Sequence, residues 1–352
     1  MNKSLEGVRG TAALLVVAYH MGGDFNAPHA LDGGYLAVDL FFVLSGFVIC
    51  AAYANHINDG ADLRNFMVRR FGRLYPAYIV STFAYFALLN LVSTPLRGEH
   101  VAPTSGELAA ILTLTQSFPM FGHFVGSPVT WSISSEFYVY VLFGALCLAL
   151  RGRARVLAFA VLSAIGLAVA IYQSLIVHSC ITRGACLNGA FDFGYARCLT
   201  GFFAGALVAN YRHHASVVAF TRPLTQMLAF ALAVAVICSA GRATAFAAPV
   251  AFAVLVASLS SDSGPIARLF TLRPFQMLGA GSYALYLAHD IFRPYLDYLA
   301  PHAATAATRL ALAGAFLAIS FVSAYLLHVA VENPFRARFH AWTPRRAPVA
   351  TA

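Results

Sequence analysis

The sequence predicts an all-α membrane protein: a polytopic bundle of about ten transmembrane helices with both termini cytoplasmic. Three observations carry this reading. Hydrophobic residues make up 60% of the 352 residues and charged residues only 11%, with mean hydropathy +0.72, where a soluble domain carries roughly a quarter charged residues. Apolar runs long enough to cross a bilayer, roughly 20 residues each, recur along the chain. The basic residues gather in alternate connections between those runs, as topology signals do.

The first run, residues 7–24, follows Lys3 and contains Arg9. It has the basic start of a signal peptide, but no small-residue cleavage pattern follows and His20 lies near its end, so it reads as a retained first helix. The second, 34–54, carries Asp39; the third, 75–93, follows the basic stretch RNFMVRRFGRLYP with Arg64, Arg69, Arg70 and Arg73. The fourth, 129–149, holds Glu136. Runs at 156–177, 194–211, 223–240 and 244–260 come next, with Arg197 in the sixth. The ninth, 275–296, contains His289 and Asp290, and the tenth spans 308–331.

A further apolar stretch, 107–121, is short and ends near Pro119. Charge decides against its crossing. With ten spans, sixteen Lys/Arg fall on the cytoplasmic side and five outside; an eleventh span would move every basic residue from Arg151 onward to the opposite side, against the positive-inside bias. One membrane domain, 1–335, and a loose basic cytoplasmic tail, 336–352, follow from this layout. The net charge of +9 does not indicate nucleic-acid binding, because the positive residues sit in short connections.

The six cysteines show neither a CxxC pair nor zinc spacing, so no metal site is expected. Cys180 and Cys186 share an outer loop in an oxidising compartment, and five intervening residues with Gly184 let them approach bonding distance. The pair reads either as a disulfide that stiffens the loop or as two free thiols in a flexible loop.

Ionisable residues inside spans are costly and face the bundle interior. By helix direction, His20, Asp39, Glu136, Arg197, His289 and Asp290 are expected in one layer of the membrane's outer half. Arg9 and His20 are eleven residues apart, about three turns and roughly 16 Å, on one helix face. Ser132, Glu136 and Tyr140 form one polar stripe, and Ser282, Tyr286 and His289 another. A lone membrane histidine is also read as a structural hydrogen-bonder, and Asp39 with Arg197 as a packing pair. The arginine cluster fits either a topology and lipid-contact role or a phosphate site.

Six motifs across the chain resemble the acyltransferase-3 family of bacterial membrane O-acyltransferases: RGTAALLVVAYH, GYLAVDLFFVLSGFVI, FMVRRFGRLYPAY, VTWSISSEFYVY, GSYALYLAHDIF and ENPFR. The resemblance implies an inner-membrane enzyme that transfers an acyl group, commonly acetyl from acetyl-CoA, to a carbohydrate or glycolipid hydroxyl. It places Arg9 and His20 on the family's essential pair and Arg69, Arg70 and Arg73, with Arg64 beside them, at a coenzyme A phosphate site. Glu136 and Asp39 match acidic positions, and His289 joins the candidate catalytic set. His20 is expected to act as general base or to carry the acyl group, with Glu136 orienting it and Arg9 lining the pantetheine path or steadying the oxyanion. Residues 156–260 carry no recognisable motif and are expected to set acceptor choice. A proton-coupled transporter is the rival reading, since it too would place these side chains in a membrane cavity.

Overall fold

The computed structural model describes residues 2–25, 29–97, 101–184, 186–239 and 242–343. They are overwhelmingly helical, with no strand among them. The first part of the chain forms α1 (Lys3–Phe25), α2 (Ala37–Tyr53), α3 (Gly60–Arg97), α4 (Ser105–Thr113), α5 (Trp131–Ala149) and α6 (Gly152–Tyr172). Its middle forms α7 (Cys180–Arg183), α8 (Gly194–Tyr211), α9 (Ala215–Ala219), α10 (Pro223–Cys238) and α11 (Ala248–Ser258). The last part forms α12 (Pro265–Phe270), α13 (Arg273–Ala280), α14 (Ser282–Ile291), α15 (Arg293–Leu299), α16 (Ala306–Leu327) and α17 (Asn333–Ala341).

Five stretches are by themselves long and apolar enough to cross a membrane: Asp32–Tyr53, Gly60–Leu91, Pro128–Ala149, Gly152–Val177 and Ala306–Ala341. Of the other five expected runs, α10 and α11 are shorter apolar helices, and the ninth run is broken between α13 and α14 at Gly281. Segment 107–121 holds no helix long enough to cross a membrane by itself. Its helix α4 has nine residues, about 14 Å at 1.5 Å per residue, starts at a Thr104–Glu107 capping box and stops where Leu114 turns left-handed.

Two expectations are corrected. Arg64 to Arg73 do not lie in a connecting loop; they occupy the opening turns of α3, which continues unbroken into the apolar run. The region after Glu332 is not loose from its start either. α17 packs on α3, with Phe339 against Phe71, so the expected boundary at 335/336 falls inside a docked helix. The remainder of the tail, including Arg345 and Arg346, lies outside the described residues.

The centre of the bundle is built by close helix pairs. α2 lies against α8, α8 against α6, and α1 against α13 and α14. Gly46 and Gly205 allow the first of these: a Cβ on Gly46 would overlap the Phe202 carbonyl, and one on Gly205 the Val43 carbonyl. Where lipid gives helices little hydrophobic reason to associate, such backbone approach supplies the packing.

Candidate active site

Two cavities lie within this bundle. The first, of about 510 Å³, is bordered by Glu6, Arg9, Arg70, Arg73, Glu136, Tyr140 and Ser282, with an otherwise largely apolar wall from α2. The second, of about 790 Å³, is bordered by His20, Tyr35, Trp131, Asp192, Arg197 and Arg293, and by much of the segment from Ser174 to Asp192. Val38 and Tyr286 border both.

Helices α1 and α14 connect the cavities. At one end Arg9 donates from Nε to Ser282 Oγ and from Nη2 to the Gly279 carbonyl, each at 2.9 Å. At the other end His20 Nδ1 lies 2.9 Å from His289 Nε2. The Ser282–Tyr286–His289 stripe therefore runs from the first cavity to the second, about 10 Å along α14.

The histidine pair has a defined proton order. His289 is fully buried, and its Nδ1 lies 3.1 Å from the Leu285 carbonyl, which can only accept. The proton therefore sits on Nδ1, and Nε2 offers a lone pair. With both rings neutral, His20 fills that lone pair with its Nδ1–H and keeps Nε2 unprotonated. His20 borders the second cavity.

Glu136 does not orient His20. It borders the first cavity, where Tyr140 donates to its Oε1 at 2.5 Å while Ser45 Oγ lies 2.8 Å from the Tyr140 hydroxyl. Glu136 thus borders the first cavity and His20 and Arg197 the second, while His289 is buried behind His20 and borders neither. Asp39 borders neither cavity. Its buried carboxylate takes two bonds from Arg197, at 2.6 and 3.2 Å, and Arg197 also reaches the Gly189 and Tyr35 carbonyls. Asp39 thereby fixes a cavity arginine instead of facing a substrate. Asp290 accepts from Ser127 and makes no bond to His289.

The arginine cluster also divides. Arg70 and Arg73 reach the first cavity, lying over the rings of Tyr53 and Tyr283 at 5.4 Å each. Arg69 bonds Thr343 through Nε at 2.7 Å and through Nη2 to its carbonyl, tying α3 to the chain beyond α17. Arg64 is exposed.

Sequence reasoning missed Glu332. Fully buried, it pairs with Arg73 and accepts from His328 Nδ1 at 2.8 Å. A glutamate closing a long apolar run is the signal that marks it. Also unanticipated is the pair His178–Asp192, 2.6 Å apart beside the second cavity. Cys180 and Cys186 are disulfide-bonded, with Cα atoms 4.6 Å apart, and Tyr35 donates to the Cys186 carbonyl.

Comparison with known proteins follows the same line. A family described as an acyltransferase domain matches residues 2–329. YrhL of Bacillus subtilis, described as a peptidoglycan O-acetyltransferase, is 28% identical over 81% of this chain and 47% of its own length. The peptidoglycan O-acetyltransferase OatA of Listeria monocytogenes is 24% identical over 95% of this chain and 55% of its own. Protein 2 of the picA locus of Rhizobium radiobacter is 36% identical over 40% of this chain and 78% of its own. The chain spans about half the length of the two O-acetyltransferases. No solved structure matches it. With its apolar helices and a family match over nearly its whole length, the chain belongs to the acyltransferase-3 family of membrane acyltransferases.

Proposed function

We propose that this protein transfers an acetyl group from cytoplasmic acetyl-CoA to a hydroxyl of a carbohydrate or glycolipid on the far side of a bacterial inner membrane. The chain would cross ten times, with both termini cytoplasmic. One observation carries the reading: a cavity bordered by Arg9, Arg70 and Arg73 shares the Val38 and Tyr286 wall with a second cavity bordered by His20, whose ring is paired with His289. Coenzyme A cannot cross lipid, whereas its pantetheine arm can extend along a passage. The names of the B. subtilis and L. monocytogenes relatives support a carbohydrate acceptor.

Arg70 and Arg73 would hold coenzyme phosphates through the forked geometry of guanidinium groups. Arg9, held rigidly on Ser282, would continue that positive wall toward α14. In the second cavity His20 Nε2 takes the proton as the acceptor hydroxyl oxygen bonds to the thioester carbonyl carbon. Collapse of the adduct breaks the carbon–sulfur bond, and the proton passes from His20 to the departing coenzyme thiolate. His289 keeps the proton on the far nitrogen of His20 throughout. Tyr35 and Trp131 also border the second cavity, with the Arg197 guanidinium over both rings.

Purified protein with radiolabelled acetyl-CoA and peptidoglycan fragments tests this reading. His20→Ala is expected to lower transfer at least about a hundredfold while leaving folding intact. Normal acceptor labelling by that variant would overturn the assignment of the base.

A further inference from the structure

Val38 and Tyr286 are the two residues that border both cavities, so α2 and α14 form the wall between them there. Its bulky half is fixed. The Tyr286 hydroxyl donates to the Val129 carbonyl at 2.9 Å and lies 2.8 Å from Ser132 Oγ, while Phe41 meets the ring edge-on at a centroid distance of 5.7 Å. Both residues are buried, and Tyr286 cannot swing aside without giving up its hydroxyl's bonds. The His289 ring follows directly, 6.1 Å from that of Tyr286.

We propose that the acyl group passes between the two cavities at Tyr286 and Val38, and that these side chains select it by size, admitting acetyl and holding back longer chains. This rests on the proposed entry of the donor from the Arg70–Arg73 side. The acyl carbon must pass these two side chains to reach His20, and whatever it carries must pass with it. A packed, anchored wall charges each added methylene a steric cost, whereas a loose apolar pocket would reward it. One methylene commonly changes specificity by about tenfold or more.

The filter can be read without an acceptor. His20→Cys puts a thiol beside His289 Nε2, which can take its proton. The sulfur then attacks the thioester carbonyl, forming an acyl–cysteine thioester as the bond to coenzyme A breaks and the coenzyme leaves as its thiol. Intact-peptide mass spectrometry of position 20, after incubation with acetyl-CoA or butyryl-CoA, measures both rates. Acetyl labelling is expected to exceed butyryl labelling by about a hundredfold in the His20→Cys protein, for two added methylenes. That ratio is expected to fall at least tenfold when Tyr286→Ala or the milder Val38→Ala is added. Equal labelling by both donors without those changes, or an unaltered ratio in both widened variants, overturns the filter while leaving the acyltransferase reading standing. Absence of labelling by any donor in every background withdraws the proposed entry of the donor, and the filter with it.

Discussion

At the scale of single residues, function divides among side chains that look equivalent in sequence. Four arginines stand within ten positions of α3, yet Arg70 and Arg73 border the first cavity, Arg69 is bonded to Thr343, and Arg64 faces outward. A charge-assisted hydrogen bond contributes about 1.5–3 kcal/mol. Arg70→Ala and Arg73→Ala are therefore each expected to weaken coenzyme A binding about tenfold or more by isothermal titration, with Arg64→Ala unchanged. Arg69→Ala is expected to lower thermal stability more than affinity. Equal loss of affinity in all four variants would restore the undivided cluster.

At the scale of helices, the passage depends on how closely the elements approach. Gly46 and Gly205 bring α2 onto α8, and α2 in turn carries Val38 and the apolar wall of the first cavity. Overpacking a tight interior costs about 1–3 kcal/mol, occasionally more. Gly205→Val is expected to lower the melting temperature by several degrees and to impair transfer by displacing α2. Gly314→Ala is the matched control: Gly314 lies in α16, and an added Cβ there meets no atom within 4 Å. It is expected to leave stability level or slightly raised, since alanine favours the helix. Differential scanning fluorimetry distinguishes the two, and equal tolerance of both would count against close α2–α8 packing.

At the scale of the whole molecule, the disulfide reports on orientation. Cys180 and Cys186 close the loop that borders the second cavity, and under the proposed topology that loop lies outside the cytoplasm. A membrane-impermeant maleimide applied to intact cells is expected to label both cysteines only after reduction. Labelling without reductant would contradict the bridge. The short ring constrains few residues, so its removal is expected to cost on the order of 2 kcal/mol. Under the proposed function, acceptor handling should suffer more than overall folding, because that loop borders the second cavity.

Sequence alone determined the class of the molecule. Composition and apolar run length made it a helical membrane protein, and the arrangement of motifs such as Arg9 to His20 gave the family that the comparison then matched. The stripe of Ser282, Tyr286 and His289 was legible because helical periodicity is local, and the disulfide because its cysteines are close in sequence. Contacts between distant segments were not legible in this way. Nothing near position 20 in the sequence indicates that His20 meets His289, that Glu136 belongs to the other cavity, or that Glu332 pairs with Arg73. Side-chain type and spacing restrict which face of a helix is polar. Only the packing of helices against one another decides which polar faces meet, and therefore that His20 pairs with His289 at the edge of the second cavity.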